Sequence, residues 1–190
     1  GGTVNVNNGE QAKDIQIDGN IGLLKSDLGA SIININMNTA DSYLDGVIYD
    51  EATNEKSELN FTLQNGAVWT NKLYNTNSNF AGSTVRKIVG GSSATSAGNI
   101  FQNDTNKINI TNYSGNTNIF YAHENKGTSA DDYIAGDTII GNAAVGSNVS
   151  LITDNTNINT VRLNEVNQVL NALAGKLTYS AYVDGERNLN

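Results

Sequence analysis

Apolar and polar residues alternate with a period of two in short stretches from one end of the chain to the other. Val4 and Val6 flank Asn5, and Ile15 and Ile17 flank Gln16. Ile33, Ile35 and Met37 alternate with Asn34, Asn36 and Asn38, and Leu59, Phe61 and Leu63 with Asn60, Thr62 and Gln64. Further along, Ile108 and Ile110 flank Asn109, Ile119 and Tyr121 flank Phe120, and Val149 and Leu151 flank Ser150. Period two with one apolar and one polar face predicts half-buried β-strands.

Turn signals separate these strands: Asn8-Gly9, Asp18-Gly19, Asn65-Gly66, Gly90-Gly91 and Ser114-Gly115. Gly and Asn tolerate the positive φ that tight turns need. Successive apolar pairs stand roughly 10 to 15 residues apart, which fits short strands plus turns. Two architectures share that rhythm, an antiparallel sandwich and a parallel β-helix with two or three strands per coil. The polar positions favour the β-helix. Equivalent positions of successive coils stack, stacked amides gain side-chain hydrogen bonds, and stacked like charges repel. Asn34, Asn36, Asn109 and Asn159, each beside an Ile, are the residues such a ladder would use. No fixed repeat period is visible, so a leucine-rich or hexapeptide array is not expected.

One segment breaks the β pattern. Leu163, Val166, Leu170 and Leu173 fall at i, i+3, i+7 and i+10, the stripe of an amphipathic helix. Asn159 or Thr160 is placed to cap its start and Gly175 to stop it. The spacing thus predicts one short helix near residues 161–174, docked on the side of the solenoid or protruding as a partner-binding element. A return to strand follows from Lys176 to Val183.

Composition narrows the function classes. Eleven Lys plus Arg face 19 Asp plus Glu, a net charge of −8, which argues against a nucleic-acid partner because phosphate binding needs a basic footprint. The chain holds 32 Asn, 17 Thr and 14 Ser, a third of its residues, so its polarity rests on uncharged amides and hydroxyls. Absent cysteine excludes disulfides, thiol nucleophiles and cysteine metal sites, and absent proline fits uninterrupted ladders. No apolar run approaches the length of a membrane helix. The N-terminal residues lack a signal-peptide pattern and the last residues lack a terminator. Residues 1–190 therefore read as a single β-helix fragment of a longer chain.

Several strings resemble a known family. Leu63-Gln64-Asn65-Gly66-Ala67-Val68-Trp69 is similar to a turn-strand of bacterial autotransporter passengers, the type V secreted surface proteins. Gly98-Asn99-Ile100-Phe101-Gln102, Ile110-Thr111-Asn112-Tyr113-Ser114-Gly115 and Asn118-Ile119-Phe120-Tyr121-Ala122-His123 resemble the same group, as do Val169 to Leu177 and Gly185 to Leu189. The resemblance covers roughly residues 55 to 190. It implies an all-β, right-handed parallel β-helix at the bacterial cell surface or outside it, acting as a stalk or adhesive module. It implies no catalytic residues, no cofactor and no metal. The family's C-terminal barrel is not expected within these residues.

On that reading the candidate surface contacts are Asn34, Asn36, Asn109, Asn112 and Tyr113. The expected partners are a second copy of the chain, or a glycan or protein on a host or bacterial surface. The competing class is a carbohydrate-active β-helix enzyme of the polysaccharide lyase or glycosidase type, which would need clustered carboxylates with a basic residue in one groove. Asp50, Glu51, Glu55 and Glu58 supply one carboxylate-rich stretch and Asp131-Asp132 another. The single histidine, His123, could join Asp131 or Asp132 and a serine in a triad, but no Gly-x-Ser-x-Gly elbow exists. Trp69, Tyr113, Phe120 and Tyr121 would serve either as a sugar-stacking platform or as core.

Overall fold

The computed structural model describes residues 1–9, 11–25, 28–52, 55–72, 82–102, 106–121, 137–153, 156–162, 171–172 and 177–179, with side-chain environments as far as Ile152. One eight-stranded sheet runs in the order β1 (Thr3–Val6), β4 (Ile32–Met37), β7 (Glu58–Leu63), β9 (Gly82–Val89), β11 (Lys107–Ser114), β13 (Thr138–Ala143), β17 (Leu177–Tyr179) and β16 (Asn171–Ala172). A seven-stranded sheet takes the alternate strands: β15 (Thr156–Arg162), β14 (Asn148–Thr153), β12 (Asn116–Tyr121), β10 (Gly98–Gln102), β8 (Val68–Thr70), β5 (Tyr43–Asp45) and β2 (Gln16–Asp18). A third pair joins β3 (Ile21–Leu23) to β6 (Ile48–Asp50). The chain visits each sheet once per coil, and neighbours pair in parallel from β1 to β13 and from β2 to β14. This is a parallel β-solenoid, all-β as the alternation predicts.

Parallel stacking puts each inward residue on its counterpart one coil away. The first sheet contributes the column Val6, Ile35, Phe61, Ile88, Tyr113, Ala143. The second contributes Ile17, Leu44, Trp69, Ile100, Ile119, Leu151. Leu44, Phe61, Trp69, Ile88, Ile100, Ile119 and Leu151 are fully buried. Phe61 meets Trp69 edge-on across the core, ring centres 5.6 Å apart, and the Trp69 indole N–H donates to the Gly46 carbonyl at 2.9 Å. At the turn before β8, Asn65 and Gly66 both take positive φ, 53° and 82°, the pair of angles that Asn-Gly tolerates best.

A polar spine also crosses the interior where the chain returns from the second sheet to the first. Asn71, Ser83, Gln102 and Thr138 are buried. Asn71 donates through Nδ2 to Gln102 Oε1 and to the Asn106 carbonyl, both at 2.8 Å, and accepts from Ser83 Oγ at 2.6 Å. Ser83 Oγ in turn accepts the Ile48 N–H, while Gln102 Nε2 and the Tyr121 hydroxyl both donate to Thr138 Oγ1. The buried polar groups of this spine thus find partners in neighbouring coils.

Strict alternation fails at one place, repeated in three stacked strands. In β9, Arg86 and Lys87 both face outward between the buried Val85 and Ile88. Thr111 and Asn112 do the same in β11 between Ile110 and Tyr113, and the register continues past Gly141 to Asn142 in β13. One extra residue moves every later side chain to the other face. Tyr113 therefore lies inside, 2% exposed, with its hydroxyl bonded to Thr117 Oγ1 and the Asn148 carbonyl. It offers no surface contact, contrary to the sequence expectation.

The helix expected near residues 161–174 is corrected at both ends. Val161 and Arg162 close β15, which runs antiparallel to β14 with Val149 opposite Val161, and Asn171–Ala172 form β16 against β17. Asn159 and Thr160, the expected caps, sit in the β15 ladder. The edge of β14 offers a row of unpaired backbone groups, which residues 156–162 fill. Residues 163–170 and 173–176, which carry the whole of that stripe, lie outside the described residues. Among the described residues the only helical element is a 3₁₀ turn at Ala94–Ser96. Of the return to strand expected from Lys176 to Val183, Leu177–Tyr179 form β17, while Lys176 and residues 180–183 lie outside the described residues.

Candidate functional site

The outward residues of the first sheet form their own column: Asn5, Asn34, Asn60, Lys87, Asn112, Asn142. Five of the six are asparagine. Asn34 Nδ2 donates to Asn5 Oδ1 at 2.7 Å, and Asn60 Nδ2 donates to Asn34 Oδ1 at 2.9 Å. Lys87 then interrupts the amide chain. Beyond it, Asn112 donates to the Arg86 carbonyl at 3.4 Å and Asn142 to the Thr111 carbonyl at 3.5 Å, each reaching back one coil. Shorter ladders join Asn118 to Asn99 and Asn148 to Asn116 on the second sheet, at 3.0 and 3.1 Å.

Two of the expected contact residues, Asn34 and Asn112, belong to the main column. Asn109 is exposed but stacks between Thr84 and Ile139, not between amides. Asn36 stacks on Thr62, and its Oδ1 is buried with no partner among the described residues. Asn159 faces Leu151 in the backbone register. Asn5, Asn60, Lys87 and Asn142 were not singled out by sequence reasoning, because a column is visible only once coil length is known. Register steps of 25 to 30 residues on the first sheet (Gly82 to Lys107, Ile108 to Thr138), and of 19 and 32 on the second (Asn99 to Asn118, Asn116 to Asn148), show that coil length varies from one coil to the next.

A groove of about 610 Å³ opens over the same column. Its floor is Asn60, Thr84, Lys87, Thr111 and Asn112, and its wall is Asp50, Ala52, Glu55, Ser57 and Glu58. Arg86 fixes that wall. Its guanidinium binds the Asp50 carboxylate, the Ser57 carbonyl at 2.6 Å and the Ala52 carbonyl at 2.6 Å. The Asp50 side chain is 4% exposed and that of Arg86 24%, so the carboxylate is enclosed while the guanidinium still touches solvent. Glu58 accepts from Asn60 Nδ2 at 2.9 Å, and Glu55 stands exposed at the rim. The Lys87 side chain is exposed and has no hydrogen bond or ion pair among the described residues. A smaller groove of about 260 Å³ continues the trench, sharing Lys87 and Asn112 and reaching Asn142.

The carboxylates of the groove do not converge: no group of three His, Cys, Asp or Glu is placed to hold a metal among the described residues. His123, Asp131 and Asp132 lie outside them. The aromatics expected as core or as a sugar platform divide unevenly. Trp69, Tyr113 and Tyr121 are buried, while Phe120 is half-buried and stacks on Phe101 at 4.4 Å. Burial raises the pKa of both Tyr113 and Tyr121 well above the ordinary phenol value, against the opposing hydrogen bonds from Thr117 and Thr138. Neither phenol is available for proton transfer near neutral pH. Protein-family models, curated proteins and solved structures were each compared with the chain, and none matches.

Proposed function

We propose that the chain is a non-enzymatic, surface-exposed passenger segment that serves as a rigid stalk and an adhesive face at the bacterial cell surface. The observation that carries this reading is the pairing of columns: a continuous apolar stack inside and a nearly uninterrupted amide stack outside. Such a stack is stiff along its axis, low in charge, and presents neutral donors and acceptors at strand spacing, about 4.8 Å apart. Each neutral hydrogen bond contributes about 1 kcal/mol net, so adhesion would come from length and avidity. The test is self-association or glycan capture by a surface-immobilised array, followed from low salt to about 0.5 M, where the Debye length is only a few ångströms. Binding that survives salt and disappears when Asn34, Asn60 and Asn112 become Lys is the expected result. Binding abolished by salt alone would refute it.

A second reading, the carbohydrate-active enzyme, is favoured by one observation: Asp50, Glu55, Glu58, Arg86 and Lys87 line a single groove. Against it, Asp50 and Arg86 neutralise each other and Glu58 is held by Asn60. New reducing ends released from a polysaccharide panel, and lost in Glu55→Gln, would establish it.

A further inference from the structure

We propose that the trench over β7, β9 and β11 is a subsite for a neutral, hydroxyl-rich polysaccharide lying along the solenoid axis. The inference rests on the adhesive-surface reading and names its ligand class. The groove's volume, about 610 Å³, falls in the range of small-ligand sites. Its wall is preorganised, because the Arg86 guanidinium ties Asp50, Ala52 and Ser57 to β9 and so removes the ordering cost that a loose loop would add. The doubled outward positions of β9 and β11 broaden the floor where the trench lies.

The lining selects among ligands. Thr84, Thr111, Asn60 and Asn112 present hydroxyls and amides and no aromatic or large aliphatic group, so a peptide's apolar side chains would find no pocket. Polyanions are opposed. With Arg86 spent on Asp50, the remaining charges are Glu55, Glu58 and Lys87, a net negative rim. A neutral glycan has what the floor asks for, hydroxyls that both donate and accept. Its sugar units are about as long as the coil-to-coil step of roughly 4.8 Å, so one unit sits over each coil. Lys87 stands midway, in a position where asparagine would have continued the ladder. Its ammonium carries three donors with no protein acceptor among the described residues, free to meet sugar oxygens.

The experiment is calorimetric titration of the whole chain with soluble gluco-, manno- and galacto-hexasaccharides, with a hexauronate as the anionic counterpart. At least one neutral series should bind and the hexauronate should not. Lys87→Ala and Thr111→Val should each weaken binding by about tenfold without changing the melting temperature. Asn118→Ala, on the second sheet and away from the trench, should leave binding intact. Absence of binding by every neutral series, tighter binding of the hexauronate, or equal loss in Asn118→Ala would overturn the subsite. Array adhesion that persists in Lys87→Ala with no hexasaccharide binding would overturn the trench while leaving the adhesive reading standing. Hexasaccharide binding by an array that does not adhere would support the trench and remove that reading.

Discussion

Asn71→Ala separates the amides inside the solenoid from those outside. Asn71 makes three hydrogen bonds of 2.6 to 2.8 Å in a fully buried setting, to Gln102, Asn106 and Ser83. Truncation deprives two buried oxygens of their Asn71 donor and one buried hydroxyl of its acceptor. Each such loss costs about 1–3 kcal/mol, and the Ser83 hydroxyl is free to rotate, so the sum expected is about 3–5 kcal/mol. Asn34→Ala also breaks two amide bonds, of 2.7 and 2.9 Å, but at a position that water reaches, and should cost about 1 kcal/mol or less. Urea unfolding followed by far-UV circular dichroism and by Trp69 fluorescence reads both, since the indole is fully buried two residues from Asn71. With a slope near 2 kcal/mol per molar, Asn71→Ala should move the midpoint down by about 2 M. Asn71→Asp distinguishes hydrogen bonding from packing. It keeps the shape but turns an oxygen toward Gln102 Oε1 and the Asn106 carbonyl, so it should cost at least as much as alanine. A mild Asn71→Asp, or an Asn71→Ala no worse than Asn34→Ala, would refute the spine as a source of stability.

Stability should fall on the alkaline side. Tyr113 and Tyr121 hold their protons in the folded state above the ordinary value near 10, whereas the unfolded chain releases them there, so each removes about 1.4 kcal/mol per pH unit above pH 10. Melting temperatures flat to about pH 9.5 and dropping beyond are expected, and phenolate absorbance showing all eight tyrosines titrating together in the folded state would contradict it. Gly115→Ala should lower stability by about 1–3 kcal/mol, because Gly115 has φ +82° and an added Cβ would stand 2.7 Å from the Gly90 carbonyl oxygen; an unchanged melting temperature would show that the turn yields.

The alternating stretches were legible because burial acts residue by residue. Ile33 to Met37 and Leu59 to Leu63 turn one side inward in strict succession. The Asn65-Gly66 turn was equally plain, since few other pairs accept its angles. What connects coils was not legible. Ladder membership depends on register, register depends on coil length, and coil length varies with the turns. Asn34 was found for its local pattern and Asn60 missed, although the two share a hydrogen bond. Tyr113 was misplaced for a related reason. Strict alternation from Ile108 and Ile110 would put Asn112 inside and Tyr113 outside; the extra outward residue, repeated in the strand beneath, keeps Asn112 outside as expected and turns Tyr113 inward. The groove follows from that same irregularity, so strict alternation could not reveal it.

Inward and outward columns obey different constraints, and that difference explains where chemistry can be added. An inward residue must fit the coils above and below, so Leu44, Trp69, Ile100 and Ile119 are bound to one another in volume and shape. An outward residue meets only its column neighbours and solvent. There the main penalty is like charge: two unit charges one strand apart repel by about 0.9 kcal/mol in water and more near a protein surface. A column of charges would pay this at every step, whereas asparagine pays nothing and gains a bond. Among the described register pairs a single like-charged one occurs, Asp18 with Asp45, and there the Tyr43 hydroxyl donates to Asp18 at 3.0 Å. Lys87 escapes the penalty because both column neighbours are neutral amides. A lone charge set into an amide column therefore leaves the fold nearly undisturbed, yet gives the face a charged donor that its amide neighbours do not supply.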